Sequence, residues 1–387
     1  MGQEKNREFS APHTYQLIEE ASELAAFALH ARQARMLAVD LEADSMFHYR
    51  EKVCLLQMAA NGTTVVVDPL KVADLDPLKP LFADEAILKV FHGADYDVRS
   101  LYRDFGISVN HLFDTQLASM YLGQSETSLE AVVSRRYGVV LDKKYQKKDW
   151  SRRPLPPEMV AYAAADVRYL IPLAQTLMVE LEAKGRLAWV QEGCRLLSQV
   201  RPQENNLPMY LKFRGAGRLT PRQLAALEEL LLLRDAVARQ KDRPLFKIMN
   251  NADLLKIAML LPADLAQLKA CQALSAKQIE MYGQSVLAAV ARAIHLPSDQ
   301  LPRYPRQRSP RLSPRIPRRV KLLRTWRDEL AAGLALEPAL LLNKSLIREI
   351  AVHKPKTVEE LARIPQMHQW QVEAFGPQIV TIIGAMS

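Results

Sequence analysis

Met36-Leu37-Ala38-Val39-Asp40-Leu41-Glu42 is a hydrophobic run broken by two acids at alternate positions. In a strand, side chains at i and i+2 share a face about 6.6 Å apart. The run therefore reads as a strand whose Val39 and Leu41 pack behind it while Asp40 and Glu42 aim at one spot. A carboxylate beside a core is costly unless a partner or a metal ion offsets its lost hydration.

Two further segments carry acids in the same anomalous way. Asp97 follows the strand-like run Leu88-Lys89-Val90-Phe91-His92-Gly93-Ala94. Asp95 is equally acidic, but it falls where a helix N-cap would sit, so capping is assigned to Asp95 and metal ligation to Asp97. His92 is either a substrate contact or a structural histidine at a strand end. Tyr162 and Asp166 lie in the alanine-rich stretch Val160–Val167, one turn apart on a helix face. Pro156-Pro157-Glu158 suits the start of that helix, and Pro172 suggests a kink or break after it. Taken alone, Tyr162 and Asp166 also read as an ordinary pair on a half-exposed helix. Together, acids from three elements with a phenol at the last suggest a two-metal site for phosphodiester cleavage. Hard oxygen donors favour Mg²⁺ or Mn²⁺, and no His/Cys cluster argues for zinc.

Around these segments, residues 14 to about 200 read as a mixed α/β unit. Helical periodicity covers about 22–34, and strand-like runs fall at 14–18, 37–41, 53–58, 63–67, 87–91 and 111–114. Asn61-Gly62 signals a tight hairpin between the third and fourth runs. The expected fold is a mixed five-stranded sheet with flanking helices, partly antiparallel and then wound, which a pure Rossmann sheet would not be. From Leu219 the texture becomes all-helical and repeats at an offset of 93 residues. Arg234-Asp235 matches Arg327-Asp328, Asn250 matches Asn343, Pro262 matches Pro355, and Tyr282-Gly283 matches Phe375-Gly376. Polar, proline and glycine matches at one offset argue for a duplicated helical domain. Between the copies, Arg303–Arg319 holds seven arginines, four prolines and no acid. It reads as an extended linker, either contacting phosphates or simply repelling itself into extension.

The 387 residues carry a net charge of +9, 49% hydrophobic and 25% charged residues, enough for two or three domains. No apolar run is long enough to span a bilayer, and the polar start lacks a signal region. Cys54, Cys194 and Cys271 are scattered and read as thiols in a reducing compartment. These features imply a cytoplasmic protein with no membrane partner, and the charge suits a polyanion.

The motifs are recognisable as a set. Asp40-Leu41-Glu42, His92–Asp97 and Tyr162–Asp166 resemble the three exonuclease motifs of the DEDD superfamily, the tyrosine marking its y-type branch. Phe113–Ser119 and Lys147–Leu155 add branch-specific similarity, and the helical repeat resembles the HRDC domain. One exonuclease domain followed by two HRDC copies is the arrangement of the bacterial ribonuclease D family. The resemblance implies a ribonuclease-H-like exonuclease domain (1–205), a first HRDC domain (206–296), the Arg/Pro linker (297–318) and a second HRDC domain (319–387). It implies metal ligation by Asp40, Glu42, Asp97 and Asp166, two divalent cations, and 3′→5′ removal of nucleotides from RNA, with tRNA precursors as partner and no organic cofactor. A monomer is expected.

A tyrosine of ordinary pKa is a poor base at neutral pH, so Tyr162 is expected to position the attacking water. Lys143, Lys144, Lys147 and Lys148, with Trp150, read either as a grip on single-stranded RNA in which the indole stacks a base, or as a solvated charge run beside a core tryptophan. Interleaving of aromatic and basic residues favours the grip. The helical copies are expected to hold the RNA body, the alternative being that they mediate protein contacts. The rival readings are an exonuclease acting on DNA and a non-catalytic RNA-binding scaffold.

Overall fold

Asn61 and Gly62 both adopt positive φ, 48° and 78°, and turn the chain between two antiparallel strands as their sequence demands. In this computed structural model, which describes residues 14–72, 74–202, 207–305, 313 and 315–385, the strands are β1 (Gln16–Ile18), β2 (Met36–Ala43), β3 (Val53–Ala60), β4 (Thr63–Val67), β5 (Leu88–Phe91) and β6 (Leu112–Asp114). They form one sheet in the order β1-β4-β3-β2-β5-β6. Pairing is antiparallel within β2-β3-β4 and parallel for β1-β4, β2-β5 and β5-β6. The expected five strands become six because both three-residue edge runs find a hydrogen-bonding neighbour.

Helices flank the sheet: α1 (Ala21–Ala31), α2 (Lys79–Ala83), α3 (Asp95–Phe105), α4 (Thr115–Tyr121), α5 (Leu129–Tyr137), α6 (Pro157–Arg168), α7 (Leu170–Ala183) and α8 (Leu187–Ser198). Pro157 takes the first position of α6, with Glu158 in the first turn, where the missing N–H costs nothing and the charge meets the helix dipole. The break expected after α6 falls at Tyr169, ahead of Pro172, because proline is tolerated in the first turn of α7.

The chain divides into two compact units. The second contains the described residues of 44–52 and 203–309. Its helices are α9 (Pro221–Lys241), α10 (Leu245–Ile248), α11 (Asn251–Leu260), α12 (Leu265–Ala270) and α13 (Ala276–His295). The β2–β3 connection belongs to this unit. His48 Nδ1 lies 2.6 Å from Asp242 Oδ2, and the Tyr49 hydroxyl donates to Asp235 at 2.7 Å.

The first unit contains the described residues of 1–43, 53–202 and 310–387, so it includes the second helical copy: α14 (Arg315–Leu334), α15 (Pro338–Leu341), α16 (Lys344–His353), α17 (Val358–Ala362) and α18 (Gln369–Gly384). That copy packs directly on the α/β domain. Trp370 stacks on Trp189 of α8 with centroids 4.4 Å apart, and Glu192 accepts from the Gln369 and Trp370 N–H groups at the start of α18.

The repeat has a structural cause at three of the matched positions. Asn250 and Asn343 both cap helices by accepting from a backbone N–H. Arg234 donates to the Met249 carbonyl as Arg327 does to that of Leu342. A Cβ on Gly283 would meet Leu265, and one on Gly376 would meet Val358, each at 3.1 Å.

Of the expected extended linker, residues 306–312 and 314 lie outside the described residues. Its end is corrected: Arg315–Arg319 is the first turn of α14, where Pro317 is harmless, and Arg319 is buried with a hydrogen bond to the Ala351 carbonyl. Among the described residues no helix is long and apolar enough to cross a membrane.

Candidate active site

β2 occupies the middle of the sheet, so Val39 and Leu41 sink into the core while Asp40 and Glu42 emerge half-buried on the opposite face. α6 crosses that face over β2, β3 and β4. Ala163 and Ala164 are fully buried beneath it. Their small side chains let the helix approach closely, which accounts for the alanine-rich sequence. Tyr162 and Asp166 project from α6 toward Asp40 and Glu42, and all four line one cavity of about 330 Å³. His92 lines it as well.

Asp97 is 7% exposed and stands behind the cavity wall, yet its charge acts on Glu42 and is acted on by Asp40. The assignment of capping to Asp95 is corrected. Asp95 is the first residue of α3, makes no cap, and pairs with Arg99 one turn on. The entry to α3 is held by Asp114, which accepts from Gly93 N and Ala94 N, both at 2.9 Å. The same carboxylate caps α4 through Gln116 N and Leu117 N. Asp114 thus orients two helix starts beside the cavity. Asp-Thr-Gln directly ahead of a helical run was the available signal for it.

Burial pushes all four acids upward. Asp40 rises to about 7 by loss of hydration. Glu42 is raised by burial and then by Asp40, Asp166 and Asp97; Asp97 by burial, Asp40 and Asp114; Asp166 by burial and Asp40. Glu42, Asp97 and Asp166 thus each feel the Asp40 charge. Among the described residues no three His, Cys, Asp or Glu side chains are grouped closely enough to hold a metal ion as they stand. Asp40, Glu42 and Asp166 line the cavity, and Asp97 is buried behind its wall. An all-oxygen donor set with such mutual repulsion fits hard divalent cations, whose charge would relieve it.

Tyr162 is likewise raised, by burial and then by Asp166, Glu42 and Asp40, so it remains a phenol at neutral pH. His92 is lowered by burial. Thr115 Oγ1 gives its one proton to the Phe91 carbonyl at 2.9 Å, so His92 Nδ1, 2.9 Å away, donates to Thr115.

Trp150 is the clearest correction. It is 1% exposed, and its ring sits 6.1 Å from that of Tyr162, so it supports the tyrosine from within the core and presents no face to a base. The lysines separate by role. Lys143 lines the cavity and pairs with Glu130, whereas Lys147 and Lys148 are exposed and lie outside it. Gln116, Asp142 and Gln146 also line the wall. They sit on loops or at a helix start, where polar residues are too common to single out.

A mixed sheet with acids of β2 and α6 and a phenol at one cavity, a third acidic element behind its wall, and duplicated helical domains after it define a 3′–5′ exonuclease with HRDC domains. Residues 15–182 match the 3′–5′ exonuclease family, and residues 223–290 and 317–383 match the HRDC domain. Ribonuclease D of Escherichia coli is 33% identical over 291 residues, covering 74% of this chain and 77% of that protein. Ribonuclease D of Granulibacter bethesdensis is 30% identical over 386 residues, covering 99% and 95%. Among solved structures, Escherichia coli RNase D, described as an exoribonuclease involved in structured RNA processing, aligns with TM-score 0.74 at 27% identity over 96% of this chain and 99% of that one. The catalytic core of RRP6 from Trypanosoma brucei aligns with TM-score 0.63 at 32% identity, over 73% and 80%. The chain belongs to the ribonuclease D family of 3′–5′ exoribonucleases.

Proposed function

We propose that the chain removes nucleoside 5′-monophosphates stepwise from RNA 3′ ends, tRNA precursors among them, using Asp40, Glu42, Asp97 and Asp166 to hold two Mg²⁺ or Mn²⁺ ions. The observation that carries this reading is one cavity lined by Asp40 and Glu42 of β2 and by Tyr162 and Asp166 of α6, with Asp97 of α3 buried behind its wall and acting electrostatically on Glu42. Cations bound there would supply the charge that eases ionisation of water and departure of the 3′ oxygen. Tyr162, kept as a phenol, orients the attacking water by hydrogen bonding. Lys143 on the wall meets the phosphate next to the scissile one, exchanging its partner Glu130 for it. Lys147 and Lys148 meet phosphates further along the strand. His92, neutral and fixed by Thr115, borders the terminal nucleotide.

The working parts are the exonuclease domain (1–205), an HRDC domain at 206–296 and another that begins with α14 at Arg315, acting within one chain. The free buried cysteines suit the reducing cytoplasm.

Incubating 3′-labelled precursor tRNA, and matched RNA and DNA oligonucleotides, with Mg²⁺ and with chelator tests the reading. Labelled mononucleotide released from RNA only when Mg²⁺ is present is the expected result. Internal cleavage, preference for DNA, or release that survives chelation contradicts it.

A further inference from the structure

Gln57 is the one residue of β3 whose chemistry does not suit its surroundings. It is 0% exposed, and neither its Nε2 nor its Oε1 has a hydrogen-bond partner. A buried amide left unsatisfied costs roughly 1–3 kcal/mol per group, whereas an apolar side chain of the same length would fill the space at no such cost. Its neighbours are fixed by the ladder. Leu17 pairs with Val66, Val66 with Gln57, and Gln57 with Asp40, a single rung across four strands. Directly opposed residues on an antiparallel pair share a face, with Cβ atoms about 4.5–5.5 Å apart. Along that rung Gln57 therefore has an apolar neighbour on one side and the Asp40 carboxylate on the other. α6 closes the face above, and its buried residues there (Met159, Val160, Ala163, Ala164 and Val167) offer no polar side chain. A glutamine amide reaches across such a gap; an asparagine holds its amide one methylene nearer its own strand.

We propose that Gln57 is a positioning residue for Asp40, its Nε2 donating to the carboxylate oxygen turned away from the cavity and so aiming the other oxygen at the bound cation. This rests on the reading of Asp40 as a metal ligand. The amide is held in reserve: it has no use until Asp40 is drawn into its working orientation. Groups that orient a metal ligand from behind typically govern affinity by 10–100-fold.

The test is a titration of the full chain with Mn²⁺, read by thermal unfolding, for wild type, Gln57→Met, Gln57→Asn and Asp40→Asn. Gln57→Met conserves volume and removes the orphaned amide. It is expected to unfold at or above the wild-type temperature without metal, yet to need about tenfold more Mn²⁺ for half of the metal-induced stabilisation. Gln57→Asn should shift the Mn²⁺ midpoint in the same direction. With RNA, kcat should fall while KM stays near wild type. A Mn²⁺ midpoint within about threefold of wild type in Gln57→Met overturns the proposal, as does a loss of metal-free stability that accounts for the shift. Should the Met variant not fold, the same threshold applied to Gln57→Asn decides. Asp40→Asn separates the two levels. If it abolishes the Mn²⁺ response while Gln57→Met leaves it intact, only the role of Gln57 fails. If Asp40→Asn responds like wild type, the ligand reading falls and takes this one with it.

Discussion

Arg153 grips Asp68 through two parallel hydrogen bonds, Nε to Oδ2 at 2.6 Å and Nη2 to Oδ1 at 2.7 Å. The same guanidinium donates to the Trp150 and Cys54 carbonyls at 2.8 and 2.9 Å. It therefore ties the residue after β4 and a carbonyl of β3 to the segment whose tryptophan supports Tyr162. Asp68 is 1% exposed, so removing its partner strands a buried charge. Breaking such a pair typically costs about 3–5 kcal/mol. Arg153→Ala should lower the unfolding free energy in urea by about 3 kcal/mol and depress kcat; Arg153→Lys, lacking the fork, should fall between. A loss below about 1 kcal/mol, the worth of an exposed pair, contradicts this.

Tyr162→Phe removes one oxygen and leaves the ring on Trp150 and Tyr145. Single-turnover hydrolysis should slow by about 10²-fold or more, the scale of a lost proton-handling group. RNA binding measured with chelator present should change less than twofold or so, a few tenths of a kcal/mol. Because burial and the acids keep Tyr162 a phenol, the acid limb of the pH–rate profile should persist in the variant. Unchanged turnover would remove Tyr162 from the mechanism.

The acids give metal-free stability a definite sign against pH. Asp40, lifted to about 7 by burial, and Glu42, Asp97 and Asp166, lifted by burial and then by neighbouring acids, hold protons in the folded state that the unfolded chain releases. Their contribution favours folding below about pH 4, the unfolded value, and is lost as pH rises through the folded values, near 7 for Asp40. With chelator, melting temperature should therefore fall from about pH 5 to about pH 8, and Mg²⁺ should stabilise more at the higher pH. Asp166→Asn should melt higher than wild type without metal at about pH 8 and be inactive. A variant that melts lower there contradicts the account.

Trp370 joins the second HRDC copy to the α/β domain by its stack on Trp189, with Tyr121 edge-on at 5.8 Å. It is 3% exposed. Trp370→Ala should cost about 3–5 kcal/mol in equilibrium unfolding, as for other buried large-to-small changes. It should also speed proteolysis within residues 315–385. Unfolding indistinguishable from wild type would mean that the copy is not anchored there.

The acids could be read from sequence because each violates a local rule: charge in an apolar strand, charge after a strand, charge among alanines. Asn61-Gly62 was legible for a similar reason, since its chemistry suits one turn. Trp150 was not, because a tryptophan beside lysines looks the same whether its ring faces solvent or core, and only the packing of α6 decides. The cap expected of Asp95 is made by Asp114, because a cap can come from a carboxylate 20 residues away, which spacing along the chain does not reveal. Docking of the second helical copy escaped for the same reason. Glu192 and Trp370 meet only in three dimensions.

Crystals soaked in Mn²⁺ with a nucleoside 5′-monophosphate, measured by anomalous scattering, test the central claim most directly. The account requires two peaks about 4 Å apart, bounded by Asp40, Glu42, Asp97 and Asp166. Absence of both peaks, or manganese bound elsewhere with Asp97 or Asp166 turned away from Asp40, would contradict it.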